Sequence, residues 1–182
     1  MPARRLVLAG LLAAASAAAD VGPLGPAFQV NTYTTGNQYD ASVAAGPAGD
    51  FVVTWSEPTL DGDDIGIFAR RHASDGTPLG GVFQVHGYTT GPQRTAAVCR
   101  DADGAFVVTW ESPPDGDTKG IFARRFASNG DALGTEFQVN QYTTGIQEGA
   151  RLCCDADGDF VVTWQSNGQD GSGYGVFGQR YN

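Results

Sequence analysis

The sequence predicts an all-β fold: three tandem four-stranded antiparallel units stacked as β-propeller-like blades, forming an open or half propeller. Three observations carry that expectation. First, the chain repeats itself. Phe51-Val52-Val53-Thr54-Trp55 returns as Phe106-Val107-Val108-Thr109-Trp110 and as Phe160-Val161-Val162-Thr163-Trp164, at spacings of 55 and then 54 residues. Second, each unit consists of short β-branched and aromatic runs separated by Gly, Pro and Asp turn signals, with no helical spacing. Third, the repeated strand is apolar on both faces, with Phe51, Val53 and Trp55 on one side and Val52 and Thr54 on the other. A small sheet that needs cover on both faces finds it by stacking on copies of itself. A β-sandwich would turn polar residues outward, and a solenoid normally uses shorter repeats.

Taken in order, the chain begins with Arg4 and Arg5, an apolar run from Leu6 to Ala15, and small residues through Ala19. Residues 1–19 therefore read as a secretory signal peptide, cut before Asp20, which implies a secreted or periplasmic protein. That run is shorter than the roughly 20 apolar residues of a membrane helix. Residues 20–182 read as a single repeat array, with units at approximately 23–77, 78–131 and 132–182, opened by Leu24-Gly25, Leu79-Gly80 and Leu133-Gly134. In the first unit the expected strands are Pro26 to Tyr33, Tyr39 to Ala45, Phe51 to Ser56 and Ile67 to Ala73, bounded by Thr34-Thr35-Gly36, Gly46-Pro47-Ala48-Gly49, Pro58 with Asp61-Gly62, and Ser74-Asp75-Gly76. Propellers usually close with 4 to 8 blades, so three leave apolar faces at both ends. Two copies would close a six-bladed ring as a homodimer.

The whole chain carries 11 basic and 20 acidic residues; without Arg4 and Arg5 the formal charge goes from −9 to −11. With Lys119 as its one lysine, such a surface argues against nucleic acid or anionic membrane as a partner.

The strings Phe28-Gln29-Val30-Asn31-Thr32-Tyr33-Thr34-Thr35-Gly36, Phe160 to Ser166 and Asp170 to Tyr181 resemble tandem repeats of large secreted bacterial proteins, often found beside RTX-type calcium-binding or cadherin-like modules. The resemblance covers essentially all of the chain after residue 19. It implies a propeller-like, extracellular, adhesive or scaffolding module with no catalytic motif. The chain departs from those proteins in being short and in lacking their glycine-rich calcium nonapeptides, so calcium-dependent secretion does not carry over.

Four sets of residues are candidates for function. The first is a recurring polar loop: Asn31, Tyr33 and Gln38; His86, Tyr88 and Gln93; Asn140, Tyr142 and Gln147. An aromatic ring beside amides and hydroxyls suits a glycan, and three copies would be multivalent. The same letters also describe a β-turn whose amides satisfy the backbone. The second set is acidic: Asp61, Asp63, Asp64, Asp115, Asp117 and Asp170 between strands, and Asp101, Asp103, Asp155, Asp157 and Asp159 before the repeated strand. These fit hairpin turns better than calcium loops, because no glutamate completes an EF-hand. Arg71, Arg125 and Arg180 recur at strand ends, and pairing with Asp61, Asp115 and Asp170 across the hairpin is the simple expectation. Trp55, Trp110 and Trp164 read as core.

The fourth set is the cysteines. Cys99 and Cys153 occupy equivalent places, whereas Cys154 points oppositely and can meet Cys99 where blades converge; an intermolecular bridge is the alternative. His72 and His86 belong to no repeated constellation, and no metal or cofactor motif appears. The functional expectation is a secreted non-enzymatic binding or scaffolding module, used in adhesion or glycan binding, with a surface glycan or a protein as partner. Its alternative is a carbohydrate-active hydrolase of sialidase-like propeller type, which would need one asymmetric cleft of unlike residues rather than matching pockets in each unit.

Overall fold

A computed structural model describes residues 22–58, 60, 62, 64–113 and 119–182; the expected signal peptide at residues 1–19, and Asp61, Asp63, Asp115 and Asp117, lie outside the described residues. The described chain is all-β. In order, its strands are β1 (Tyr39–Ala45), β2 (Phe51–Pro58), β3 (Ile65–His72), β4 (Phe83–Gln84), β5 (Arg94–Arg100), β6 (Phe106–Ser112), β7 (Gly120–Phe126), β8 (Phe137–Gln138), β9 (Gln147–Cys154), β10 (Phe160–Asn167) and β11 (Tyr174–Tyr181). They form three antiparallel meanders, β1-β2-β3-β4, β5-β6-β7-β8 and β9-β10-β11. Strand β5 lies against β1 on one side and β9 on the other, so these are the innermost strands of propeller-like blades.

The sheets are offset from the sequence units. The segment from Pro26 to Tyr33 is not a strand, and the fourth strand of each of the first two sheets comes from the unit that follows. Phe83-Gln84 pairs with Ala69 and Phe68, and Phe137-Gln138 pairs with Ala123 and Phe122. The third sheet has three strands. An edge strand of two residues has little register of its own, so its place is fixed by what its side chains pack against. The Phe83 ring lies 6.5 Å from Phe106 and 5.8 Å from Phe126, in the second sheet, while its backbone bonds to the first. Phe137 repeats this, pairing with β7 and packing 5.4 Å from Tyr181.

Between the sheets lie two apolar layers. Val52, Ile67, Ala69 and Val85 meet Ala96, Val98, Phe106, Val108, Trp110 and Phe126; Cys99, Val107, Ile121, Ala123 and Val139 meet Ala150, Phe160, Val162 and Trp164. All three tryptophans are buried, and the Trp55 indole N–H donates to Glu57 Oε2 at 2.8 Å. Because β6 is covered on both faces, every residue in it is buried, whereas β10 alternates strictly between buried and exposed. That contrast follows from one face lacking a neighbour, since the two strands share the same Phe-Val-Val-Thr-Trp sequence.

Each junction also carries a polar or covalent clamp near the innermost strands. Between the first and second sheets the Arg100 guanidinium pairs with the Asp50 carboxylate and donates to the Asp50 carbonyl at 2.9 Å. Between the second and third, Cys99 and Cys154 are joined in a disulfide with Cα atoms 5.4 Å apart; Cys153 is free and exposed.

The expected pairing of Arg180 with Asp170 does not form. Arg71, Arg125 and Arg180 stand opposite Val52, Val107 and Val161, at the start of the repeated strand, while the turn bearing Asp170 is at the other end of its hairpin. Arg125 instead reaches the third sheet, where its guanidinium lies 5.3 Å over the Phe160 ring and donates to the carbonyls of Gly158 and Asn182 at 3.2 and 3.0 Å.

The disulfide closes a loop of sequence separation 55, for which chain entropy predicts a contribution of about 4 kcal/mol. The double variant Cys99→Ser with Cys154→Ser should lose stability on that scale in urea unfolding. A loss below about 1 kcal/mol would show that stacking alone secures the junction.

Candidate functional site

At one end of the propeller axis the innermost strands begin at Tyr39, Arg94 and, one position inside β9, Glu148, which stand opposite Ser56, Glu111 and Gln165. The next residue in each is held at positive φ: Asp40 at 55°, Thr95 at 56° and Gly149 at 69°. The left-handed region is unfavourable for a β-branched residue such as Thr95, so the conformation is imposed by its surroundings. It coincides with a register shift in all three strands, that is, with a β-bulge at the axial mouth. The bulge re-aims the side chains that follow, and those side chains differ from sheet to sheet.

At the mouth between the second and third sheets the differences make a charged cluster. Lys119 Nζ lies 2.8 Å from Glu111 Oε2 and 2.8 Å from Glu148 Oε2, while the Gly149 amide donates to Glu111 Oε1 at 2.8 Å. Glu111 is buried and Lys119 half-buried. Burial works against the charge on Lys119, but its bonds to Glu111 and Glu148 outweigh it and raise the lysine above its ordinary range. The bond from Lys119 lowers Glu148, against a smaller opposing effect of burial. Arg94, exposed, and Ser112, Pro92, Pro113 and Ile146 complete the same groove. The arrangement is an ion-paired clamp beside an apolar wall. It presents fixed polar atoms and C–H surface together.

The recurring polar loops lie at the same end of the sheets, one per unit, and the structure does not gather them into one pocket. Asn31 Nδ2 donates to the Tyr33 carbonyl at 2.6 Å and to Gln38 Oε1 at 3.2 Å; Asn140 Nδ2 makes the same two bonds, to Tyr142 and Gln147, at 3.0 and 3.2 Å. His86 Nδ1 lies 2.9 Å from the Tyr88 carbonyl, and Gln93 Nε2 donates to the carbonyls of Thr90 and Gly91. His86, Gln93, Asn140 and Gln147 are buried. Their amide and ring nitrogens thus tie each loop to its own backbone, leaving the partly exposed Tyr33, Tyr88 and Tyr142 as the surface they offer.

The acidic turns behave similarly. Asp155 Oδ1 accepts from the amides of Asp157 and Asp159, both at 3.0 Å, and Asp170 Oδ1 accepts from Ser172 at 3.3 Å. No group of three His, Cys, Asp or Glu side chains suited to a metal occurs among the described residues.

The fold and the axial groove define an all-β, propeller-like protein. No family model matches the chain, and no curated protein matches it. Among solved structures it is similar to the crystal structure of an endo-arabinase from Bacteroides thetaiotaomicron VPI-5482, at 17% identity and a TM-score of 0.51, covering 80% of this chain and 56% of that one. The match therefore spans little more than half the enzyme's length and shows a shared fold.

The clamp predicts a pH dependence. Glu148, lowered in the folded state, contributes stability that is complete above its ordinary value of 4.5 and lost as pH falls below it. Lys119, raised, contributes stability that is complete below 10.5 and lost as pH rises beyond it. As pH is lowered from 7 to 3, unfolding midpoints should fall more steeply in the native protein than in Glu148→Gln; equal slopes would exclude the clamp as a contributor.

Proposed function

We propose that the protein is an exported, non-enzymatic carbohydrate-binding module that holds a polysaccharide along the axial groove between its second and third sheets. The observation that carries this reading is the Lys119 bridge between Glu111 and Glu148 beside Pro92, Pro113 and Ile146. Sugars are bound by immobilised polar groups alongside apolar surface for their C–H faces, and both are present. A glycoside hydrolase needs one carboxyl that keeps its proton at working pH. Glu148 is pushed in the opposite direction by Lys119. The signal-like residues 1–19 support export, and a solved protein of similar fold is named an endo-arabinase.

One observation favours the hydrolase alternative: Tyr39, Arg94 and Glu148 are unlike at equivalent positions, as an asymmetric cleft requires. Affinity electrophoresis against arabinan and a panel of soluble polysaccharides distinguishes the two. Binding without release of reducing ends is the expected result, and Arg94→Ala should weaken it about tenfold, the loss of one charge-assisted hydrogen bond, with an unchanged melting temperature. Retention of no polysaccharide would overturn the reading. Release of reducing ends that disappears in Glu111→Gln and Glu148→Gln would replace it with the hydrolase.

A further inference from the structure

Within the chain the same junction is made twice. The residue pair Phe83-Gln84 completes the first sheet and Phe137-Gln138 the second, and in each case the following valine amide donates to the sheet, Val85 to the Ile67 carbonyl at 2.9 Å and Val139 to the Ile121 carbonyl at 2.8 Å. Among the described residues the third sheet has no such strand along β11. Val176, which stands where Ile67 and Ile121 stand, is 79% exposed against 0% for both of them. Val161 is 38% exposed, against 2% for Val52 and 4% for Val107.

The other end of the array holds the missing piece. Phe28-Gln29-Val30 repeats the sequence of those edge strands but pairs with no sheet. Its ring is already seated, 6.2 Å from Phe51 and 5.6 Å from His72, as Phe83 is seated on Phe106 and Phe126. Arg70 holds it further through the Val30 carbonyl at 3.0 Å, as Arg124 holds the Val85 carbonyl at 3.1 Å. On the same face Val30 and Val82 pack over Val53, Trp55 and Phe68 but leave the β1 side open, where Val43 is 62% exposed; its equivalent Val98, covered by the first sheet, is 7% exposed.

We propose that the third sheet is completed by Phe28-Gln29-Val30 of a second copy of this chain, Gln29 opposite Phe177 and Phe28 opposite Gly178, with the Val30 amide donating to the Val176 carbonyl. The occupant is a second copy because the surface required is a first-unit face with an unpaired Phe-Gln-Val strand, which this chain itself exposes. Two such head-to-tail junctions close a ring of six sheets, within the range at which propellers close, and remove both open edges. Strand addition of this kind supplies main-chain hydrogen bonds, while the apolar faces supply the buried area.

The disulfide gives the test. Cys99 of the second sheet is bonded to Cys154 of the third. Cys153 occupies the position of Cys99 in the third sheet, opposite Val161 as Cys99 is opposite Val107; Ala45 occupies the position of Cys154 in the first, opposite Phe51 as Cys154 is opposite Phe160. In the ring, Cys153 of one copy therefore faces Ala45 of the next. Light scattering on the native exported chain should give twice the chain mass. Ala45→Cys, oxidised, should run as a covalent dimer on a non-reducing gel and return to the monomer when Cys153→Ala is added. Val30→Pro, which removes the donated amide, should raise the dimer dissociation constant about tenfold or more. A native monomer at micromolar concentration overturns the proposal, as does a dimer that Ala45→Cys fails to lock or a lock formed within one chain.

Discussion

The structure depends on a hand-off between neighbouring sheets. The leading phenylalanine of the second and third units, Phe83 and Phe137, gives its backbone to the sheet before it and its ring to the sheet behind it. Neither half suffices alone: two residues of strand contribute too few hydrogen bonds to fix a register, and an aromatic contact of about 1 kcal/mol does not orient a sheet. Joined in one residue, they make the edge of one blade and the core of the next form together. The tight antiparallel hairpins can then be short and tolerant of sequence change, because the angle between sheets is set at the junctions. The clamps nearer the axis vary freely for the same reason, an ion pair at one junction and a disulfide at the other.

Much of this architecture is legible in the sequence because stacking demands likeness. Phe-Val-Val-Thr-Trp recurs since each copy must be covered on two sides, and the alternation of Phe51, Val53 and Trp55 with Val52 and Thr54 names the two layers correctly. The ownership of the edge strand is not legible. Phe28, Phe83 and Phe137 open the same Phe-Gln-Val triplet, yet only the last two pair with a sheet, through residues more than ten positions away. The arginines mislead for a related reason. Their recurrence suggests a hairpin partner, but in an antiparallel pair the end of one strand lies beside the start of the other, so Arg125 meets the next sheet and not the turn.

The axial groove was hidden by the opposite property. Repetition draws attention to positions that agree, and the groove is built where positions differ: Arg94 and Glu148, which flank it, share a place with Tyr39 of the first sheet and nothing else. Lys119 carries a signal in being the one lysine of the chain, though its two carboxylate partners sit 8 and 29 residues from it and on two different sheets. Thr95 at φ 56° marks the same region from the backbone side. A strained residue at a bulge is a cost that the fold carries where the shape of the mouth is set. The polar loops, by contrast, repeat faithfully because their amides serve their own backbones.

The bond between Cys99 and Cys154 also changes how the chain would bear tension. Force applied through residues at either end passes from β5 directly into β9, so the intervening stretch, which includes β6, β7 and β8, is bypassed. At roughly 3.5 Å per extended residue, a sequence separation of 55 amounts to about 190 Å of contour that cannot be drawn out while the bond is intact. The second sheet would keep its fold while the flanking strands peel. The covalent link makes the central blade the part of the array that outlasts its neighbours under load.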